Sequence, residues 1–427
     1  MATIAIRCED KAQERRSPVA PEHVSQLREA GIRVRVQGAP QRVFSDAEYA
    51  AVGAEPIDDL TDEKVIMGIK EIELDLLEAG KTYIIFSHTV KGQRENMPLL
   101  QRAMEVGCTL IDYERIVDDQ GQRLVFFGRF AGLAGTIDSL WALGKRFAGR
   151  GLETPLAQLS QAYEYDSLAE AEAALRRVGE QLRDGGVPPE MRPLVVGVAG
   201  TGNTGQGART ILDALGAEAV PTDQLAGLRK GDAGIYQVFF DVHHLVARHD
   251  GKFDLAEYFK YPYRYRSIFD RHLPHLTVLM NCIYWENRYP RLVTVRKLNQ
   301  LYRDTEAPKL QVIGDISCDI RGSIEATVRA TWPDDPVYTF DVDTGAAESG
   351  FCGNGPAIMA VYNLPAELPR DASMAFGDQL MPFLPAIARA DFSKDLDQTG
   401  LPGPVERAVV VHRGELMEDY AYLEQFL

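Results

Sequence analysis

Two periods alternate along this chain. Short apolar runs of strand length are separated by stretches in which apolar residues return every three or four positions. Thr3 to Arg7 alternates and is β-branched, so it reads as a strand. ERRSPVAP, residues 14–21, is a loop with two prolines, and Glu22 to Ala30 reads as a helix stopped at Gly31. Ile32 to Gln37 is a second strand. Val65 to Ile69 and Tyr83 to Ser87 are the next two, with an acidic amphipathic segment between them. Asn96 to Val106 has the helical period, with Leu99, Leu100 and Met104 inward, and Thr109 to Ile111 and Leu124 to Phe127 are further short strands. Strands alternating with helices predict a parallel sheet covered on both faces, so residues up to about 130 read as one α/β domain.

The middle of the chain repeats the logic. Ala131 to Ala148 is a long helix rich in small residues, and Leu168 to Leu182 is an amphipathic helix with Ser167 at its N-cap position. A turn-rich connector, residues 184–193, leads into PLVVGVAGTGNTGQGARTILDAL at 193–215. Here Leu194 to Ala199 is a strand. Gly200, Gly202 and Gly205 follow in the spacing GxGxxG, and Ala208, Ile211, Leu212 and Leu215 make one helical stripe. A strand, a glycine turn and a helix in that order suit a dinucleotide: glycines let backbone amides approach the pyrophosphate, and the helix start supplies positive dipole. Further strands are expected in VFFDV, at Thr277 to Ile283 and at Leu310 to Ile316, and the tail shows helices punctuated by prolines. There are no internal repeats or low-complexity tracts.

Composition narrows the class. At 427 residues the chain is too long for one core, so two domains are expected. A net charge of −16 argues against nucleic-acid or anionic-membrane partners, and any site for acidic ligands must be locally basic. The five cysteines (Cys8, Cys108, Cys282, Cys318 and Cys352) lack CxxC spacing and read as reduced, buried thiols of a cytoplasmic protein. MATIAIRCED reaches charge within a few residues, unlike a signal peptide, and Arg129 and Asp138 interrupt the most apolar stretch.

Ends of strands in such sheets carry the chemistry. Lys70 follows one strand in IMGIKE, His88 follows the next in IIFSHTVKGQ, with Lys91 and Gln93 behind it, and Arg15 and Arg16 sit in the loop after the first strand. A lysine and a histidine in one cleft make an acid–base pair if burial among cations lowers the lysine pKa, and an arginine beside them holds a carboxylate. The plain alternatives are a solvated lysine, a structural histidine and an exposed arginine. His243 and His244 lack a third ligand at metal spacing, so no metal site is expected. Tyr284 and Trp285 read as core or crevice aromatics. About 20 residues past the glycines, where an acid would take the ribose hydroxyls of NAD, stand Pro221 and Thr222, with Asp223 a little late.

With these residues in view, the chain resembles the lysine–2-oxoglutarate reductase part of the bifunctional aminoadipic semialdehyde synthases. More distantly it is similar to the fungal lysine-forming saccharopine dehydrogenases and to alanine dehydrogenase. The matching segments are ERRSPVAPEHV (14–24), IMGIKE (66–71), FSHTVKGQRENMPLL (86–100), LIDYERIVDDQGQRLVFFGRFAGLAG (110–135), AGTGNTGQGA (199–208), DVHHLV (241–246), NCIYWEN (281–287), DISCDIRGSIE (315–325) and YNLPAELPRDAS (362–373). The resemblance implies two Rossmann-like α/β domains with parallel sheets and a cleft between them. Residues 1–132 plus 345–427 would form the catalytic domain, and 133–344 the dinucleotide-binding domain. It implies an enzyme that condenses the lysine ε-amine with 2-oxoglutarate and reduces the imine with a nicotinamide cofactor to saccharopine, or runs the reverse.

Position by position, the resemblance makes Lys70 the general base and His88 the general acid. Arg16 and Arg123 would bind substrate carboxylates, with Gln93 and Phe127 lining the site. A second arginine expected beside Arg123 is Gln122 here. Cofactor contacts fall on Gly200, Gly202, Asn203 and Gly205, on Ile283 and Tyr284, and on the stretch from Ile316 to Asp319. The cofactor is NADPH or NADH, with NADPH favoured. The saccharopine dehydrogenase half of the bifunctional enzymes is not in this sequence, so the lysine-condensing step alone is expected. Homo-oligomerisation is left open. The rival expectations are an opine-type reductase for another N-substituted amino acid, and a cofactor-binding regulator without turnover.

Overall fold

The structure is a computed structural model that describes residues 1–427 apart from Ala12 and Glu306. It divides into two compact units, Met1–Phe127 with Pro369–Leu427, and Gly128–Leu368. Among the described residues each unit is built on one eight-stranded sheet.

In the first unit the parallel strands lie in the order Glu55–Ile57, Arg33–Gln37, Thr3–Ile6, Val65–Met67, Thr82–Ile85 and Thr109–Asp112. The central ones are buried throughout, as a parallel sheet covered on both faces requires. Helix Pro21–Glu29 opens on a proline, and helix Met97–Val106 stops at left-handed Gly107. One expected strand is absent. Residues 124–127 form none; the place beside Thr109–Asp112 is taken by Val409–His412, antiparallel, followed by Glu415–Leu416. Three consecutive valines, Val409 to Val411, are fully buried there. Meanwhile Phe126 gives its backbone N–H to the Gln379 side chain at 2.8 Å. The acidic segment before Thr82 forms only one 3-10 turn, Leu74–Leu76, with both leucines exposed.

In the second unit the parallel strands run in the order Glu218–Ala219, Ile235–Phe240, Leu194–Ala199, Val278–Asn281, Val312–Asp315 and Ala357–Met359. Val337–Phe340 and Ala347–Ser349 extend that sheet antiparallel. Those late strands move the boundary: residues 345–368, expected in the first domain, belong to the second unit because their backbones pair with its sheet. At the other end helix Gly128–Gly149 begins before the expected boundary at 132. Ser167 caps helix Leu168–Gln181, accepting the Glu170 N–H at 3.3 Å. The thiols also differ from expectation: only Cys108 is fully buried, and Cys352 is exposed. No helix among the described residues is long and apolar enough to cross a membrane.

Helix Gly128–Gly149 is apolar nearly all round and lies against helix Asn203–Leu215. Glycine sets their approach. A Cβ on Gly132 would stand 1.9 Å from the Thr204 carbonyl oxygen, and one on Gly207 would stand 2.1 Å from that of Arg129. Glycine costs a helix interior about 0.5–1 kcal/mol relative to alanine, so packing outweighs propensity here. Gly132→Val is expected to lower the unfolding free energy by at least about 3 kcal/mol in urea titration, since backbone cannot yield as a side chain does.

The same helix carries a buried acid pair. Asp138 accepts the Ala162 N–H at 2.8 Å, and its carboxyl hydrogen-bonds Glu367, itself buried. Burial raises Asp138 to about 6 and, with the Asp138 charge, raises Glu367 well above the ordinary carboxylate range. Folded pKa values above the unfolded ones mean stability present at low pH and lost as pH rises from about 4 through about 6 and beyond. Glu367→Gln keeps one hydrogen bond without the charge. Thermal unfolding of this variant is expected to gain on the parent at pH 8 and not at pH 4.5.

Candidate active site

The strand order of the first unit switches beside Thr3–Ile6. The chain moves to Arg33–Gln37 on one side and to Val65–Met67 on the other, which opens a crevice at the carboxyl ends. The loops there carry the sequence candidates. Glu9, after the first strand, is buried, and burial pushes its carboxyl to about 7. It accepts the backbone N–H groups of Ile69 at 2.6 Å and Lys70 at 3.0 Å, so it fixes the loop on which Lys70 stands. Lys70 is half-buried. Burial first, and then the Arg16 guanidinium, lower its ammonium pKa to about 8, against the pull of Glu14 and Glu71.

Of the two adjacent arginines, Arg15 is exposed and Arg16 buried. Glu14 grips Arg16 from two oxygens, at 2.7 Å to Nε and 2.5 Å to Nη2. The guanidinium lies 4.2 Å from the centre of the Phe127 ring, which stacks on Phe376 at 4.3 Å. This contact shows why residues 124–127 leave the strand pattern: Phe127 is a wall for Arg16.

His88 follows Thr82–Ile85 in the left-handed conformation, φ +54°. Two bonds below it hold that turn. Asp112, wholly buried, accepts the Ser87 N–H at 3.1 Å and the Ser87 hydroxyl, and also the Glu114 N–H at 2.8 Å. Glu71 lies 3.6 Å from His88 Nε2 and Glu114 lies 3.8 Å from Nδ1. Burial and the Lys70 charge hold the imidazole below its ordinary pKa, with Glu71 and Glu114 pulling upward. Glu71 also meets Lys11 at 2.6 Å, and Glu114 meets Lys91 at 3.4 Å and Arg123 at 3.0 Å.

The structure thus places Arg16 on Phe127, His88 and Arg123 on the shared Glu114, and Lys70 within electrostatic reach of Arg16 and His88. Gln93 is exposed and accepts the Asn96 amide at 3.3 Å, and Gln122 is exposed on a turn. Sequence reasoning looked for cations and missed the carboxylates among them. Glu14, Glu71 and Glu114 stood in motifs already singled out, each next to or near a chosen cation. The signal was that acids interleaved with cations at strand ends neutralise a buried cluster.

The second unit repeats the switch at Leu194–Ala199, flanked by Ile235–Phe240 and Val278–Asn281. Gly200 takes φ +102°, and a Cβ there would stand 2.8 Å from the Cys282 carbonyl oxygen. A Cβ on Gly205 would stand 2.1 Å from the Gly200 carbonyl oxygen. Gly202 is the N-cap of helix Asn203–Leu215 and offers no capping side chain, so the first backbone N–H groups face outward as an anion cradle. A helix start of this kind is where a pyrophosphate would be held. Ile283, Tyr284 and the stretch Ile316 to Asp319 lie on the loops leaving the neighbouring strand ends; Tyr284 is largely exposed. Asn281 binds both Asp315, at 2.8 Å, and Ser323, at 2.7 Å, which pins the 316–323 loop. Thr201 donates to Asp241 at 2.8 Å and ties the glycine turn to the DVHHLV segment. His243 and His244 lie with ring centres 3.7 Å apart, and no group of three metal-ligating side chains is found among the described residues.

With this geometry in place, comparison with known proteins is informative. Residues 5–134 match the family model for the alanine dehydrogenase/PNT N-terminal domain, and residues 169–419 match that for its C-terminal domain. The alpha-aminoadipic semialdehyde synthase of Arabidopsis thaliana is 38% identical over 96% of this chain, which spans 40% of that relative's length. The saccharopine dehydrogenase [NAD(+), L-lysine-forming] of Neurospora crassa is 26% identical, with 89% of each chain covered. A solved L-alanine dehydrogenase superposes with a TM-score of 0.63 at 18% identity, covering 99% of this chain and 98% of its own, and so shares the two-domain, mostly parallel α/β fold. This chain belongs to the alanine dehydrogenase/PNT family.

Proposed function

We propose that this protein is an oxidoreductase that condenses the ε-amine of lysine with 2-oxoglutarate and reduces the resulting imine to saccharopine, or runs the reverse. The observation that carries the reading is Lys70, a half-buried lysine with its pKa at about 8, held beside Arg16 and His88. In support, one relative is named alpha-aminoadipic semialdehyde synthase and another saccharopine dehydrogenase [NAD(+), L-lysine-forming].

Attack on a keto group needs a neutral amine, and a lysine ε-ammonium titrates near 10.4. Lys70 takes that proton. The mismatch of about 2.4 units costs about 3 kcal/mol, small against the barriers enzymes remove. The carbinolamine must then lose its hydroxyl as water. His88 donates the proton, and Glu71 and Glu114 on its two nitrogens support the charged imidazolium. Arg16 and Arg123 hold substrate carboxylates; saccharopine has three, so a cationic site within a chain of net charge −16 suits it. Glu14 and Phe127 fix the plane of Arg16 for that contact. When bound, the nicotinamide supplies hydride to the imine carbon. Gly200, Gly202 and Gly205, with the N–H groups opening helix Asn203–Leu215, would hold its pyrophosphate.

The cofactor we propose is NADPH. After strand Glu218–Ala219 no carboxylate comes before exposed Asp223, and Thr222 gives its hydroxyl to the Phe239 carbonyl at 3.3 Å. The Arg209 guanidinium lies over the Phe239 ring, whose backbone carbonyl takes the Thr222 hydroxyl, and is a cation near this strand end for a ribose 2′-phosphate. The free thiols among the described residues fit a reducing compartment.

The test is nicotinamide absorbance with lysine and 2-oxoglutarate, using NADPH and NADH in turn. Turnover is expected with this pair, at least tenfold faster with NADPH, and falling at the acid end as Lys70 and His88 are both protonated and at the alkaline end, above about pH 8, as both are deprotonated. Lys70→Met and His88→Gln are each expected to lower kcat by about 10²–10⁴ while the proteins stay folded. Parent rates in both variants would remove these roles, and faster turnover with another amine or 2-oxoacid would replace the substrate.

A further inference from the structure

The last segment of the chain, the 3-10 stretch Glu418–Phe426, reaches both turns that bracket His88. On one side is the turn Thr89–Lys91, bounded by two left-handed residues, His88 at φ +54° and Gly92 at φ +64°. Tyr422 donates its hydroxyl to the Val90 carbonyl at 2.6 Å. The Phe426 ring lies on Gly92 so closely that a Cβ there would stand 2.6 Å from it. Val90 packs in one apolar cluster with Tyr420 and Leu423. On the other side is the turn Tyr113–Arg115, which carries Glu114 against His88 Nδ1. Arg115 donates from Nε to the Tyr420 hydroxyl at 3.2 Å, and Tyr420 donates to the Arg407 carbonyl at 2.6 Å.

We propose that Glu418–Phe426 is a strap that sets the position of His88 relative to Glu114, with Tyr422, Tyr420 and Phe426 as positioning residues that never touch substrate. A left-handed non-glycine residue is strained and persists only where its surroundings over-determine it. Asp112 fixes the turn from beneath through Ser87, and the strap fixes it from above through Val90 and Gly92. The catalytic half of this inference rests on His88 being the proposed acid; the structural half does not. The consequence is a lever: whatever displaces the strap loosens the acid without entering the site.

Two variants test it in the full chain. Tyr422→Phe removes one hydroxyl and keeps the ring; Phe426→Ala removes the ring over Gly92. The first readout is the imidazole titration of His88 by NMR, assigned among the eight histidines by its loss in His88→Gln. Both variants are expected to shift that titration by at least half a pH unit with the unfolding temperature unchanged. The second readout is turnover with lysine and 2-oxoglutarate. A fall in kcat of about tenfold is expected, with KM for the cofactor unchanged, and a fall of less than twofold when the same substitutions are made in His88→Gln. An unmoved His88 titration in both variants overturns the strap. Equal falls in kcat with and without His88 overturn its action through that residue. An inactive parent protein, or a His88→Gln variant with full activity, sinks the functional reading instead, while the titration still decides the strap.

Discussion

Everything in the first unit turns on keeping a cationic cluster partly out of water. A buried ammonium is unstable unless it is paired or gives up its proton. The protein uses both escapes. Arg16, which cannot give up a proton, receives Glu14 in two-pronged contact and an aromatic face. Lys70 sits where burial and Arg16 together lower its pKa to about 8. His88 is balanced between burial, which favours the neutral ring, and two carboxylates, which favour the charged one. One guanidinium that stays charged, one amine ready to accept a proton and one imidazole able to carry one follow from a single arrangement of burial and pairing.

The fold supplies the positions cheaply. Parallel strands deliver their following residues to one edge of the sheet, and the order of strands leaves a crevice there. Lys70 and His88 are separated along the chain yet follow adjacent strands, so no long-range device is needed to bring them together. Buried acids then fix the loops: Glu9 through two backbone N–H groups of the Lys70 loop, Asp112 through the turn of His88. The second unit uses the same geometry with glycine in place of charge. Gly200 and Gly205 allow backbone to lie against backbone, and the start of helix Asn203–Leu215 is left open for an anion.

Much of this was readable from pattern. The two-period alternation marks the parallel strands, and the glycine spacing marks the second unit's cradle, because both are local signals. What pattern misled on was non-local. Leu124 to Phe127 has the composition of a strand, but Val409–His412 pairs in its place, and Phe127 turns to Arg16. Residues 345–368 read as a return to the first unit, yet Ala347–Ser349 and Ala357–Met359 pair with the second sheet. The carboxylates around the cations were visible as letters and not as a site, since an acid's role depends on which cation it faces after folding. Arg15 and Arg16 could not be told apart by sequence; burial distinguishes them.

The account stands on the protonation of one side chain. Selective reaction of amines with an electrophile, followed by mass spectrometry of the Lys70 peptide across pH, measures it without reference to turnover. A half-point of reactivity near pH 8 agrees with a lysine held among cations by burial. A half-point above pH 10, the value of a lysine in water, would mean that Lys70 is an ordinary surface ammonium and that the cluster is not the centre of this protein's chemistry.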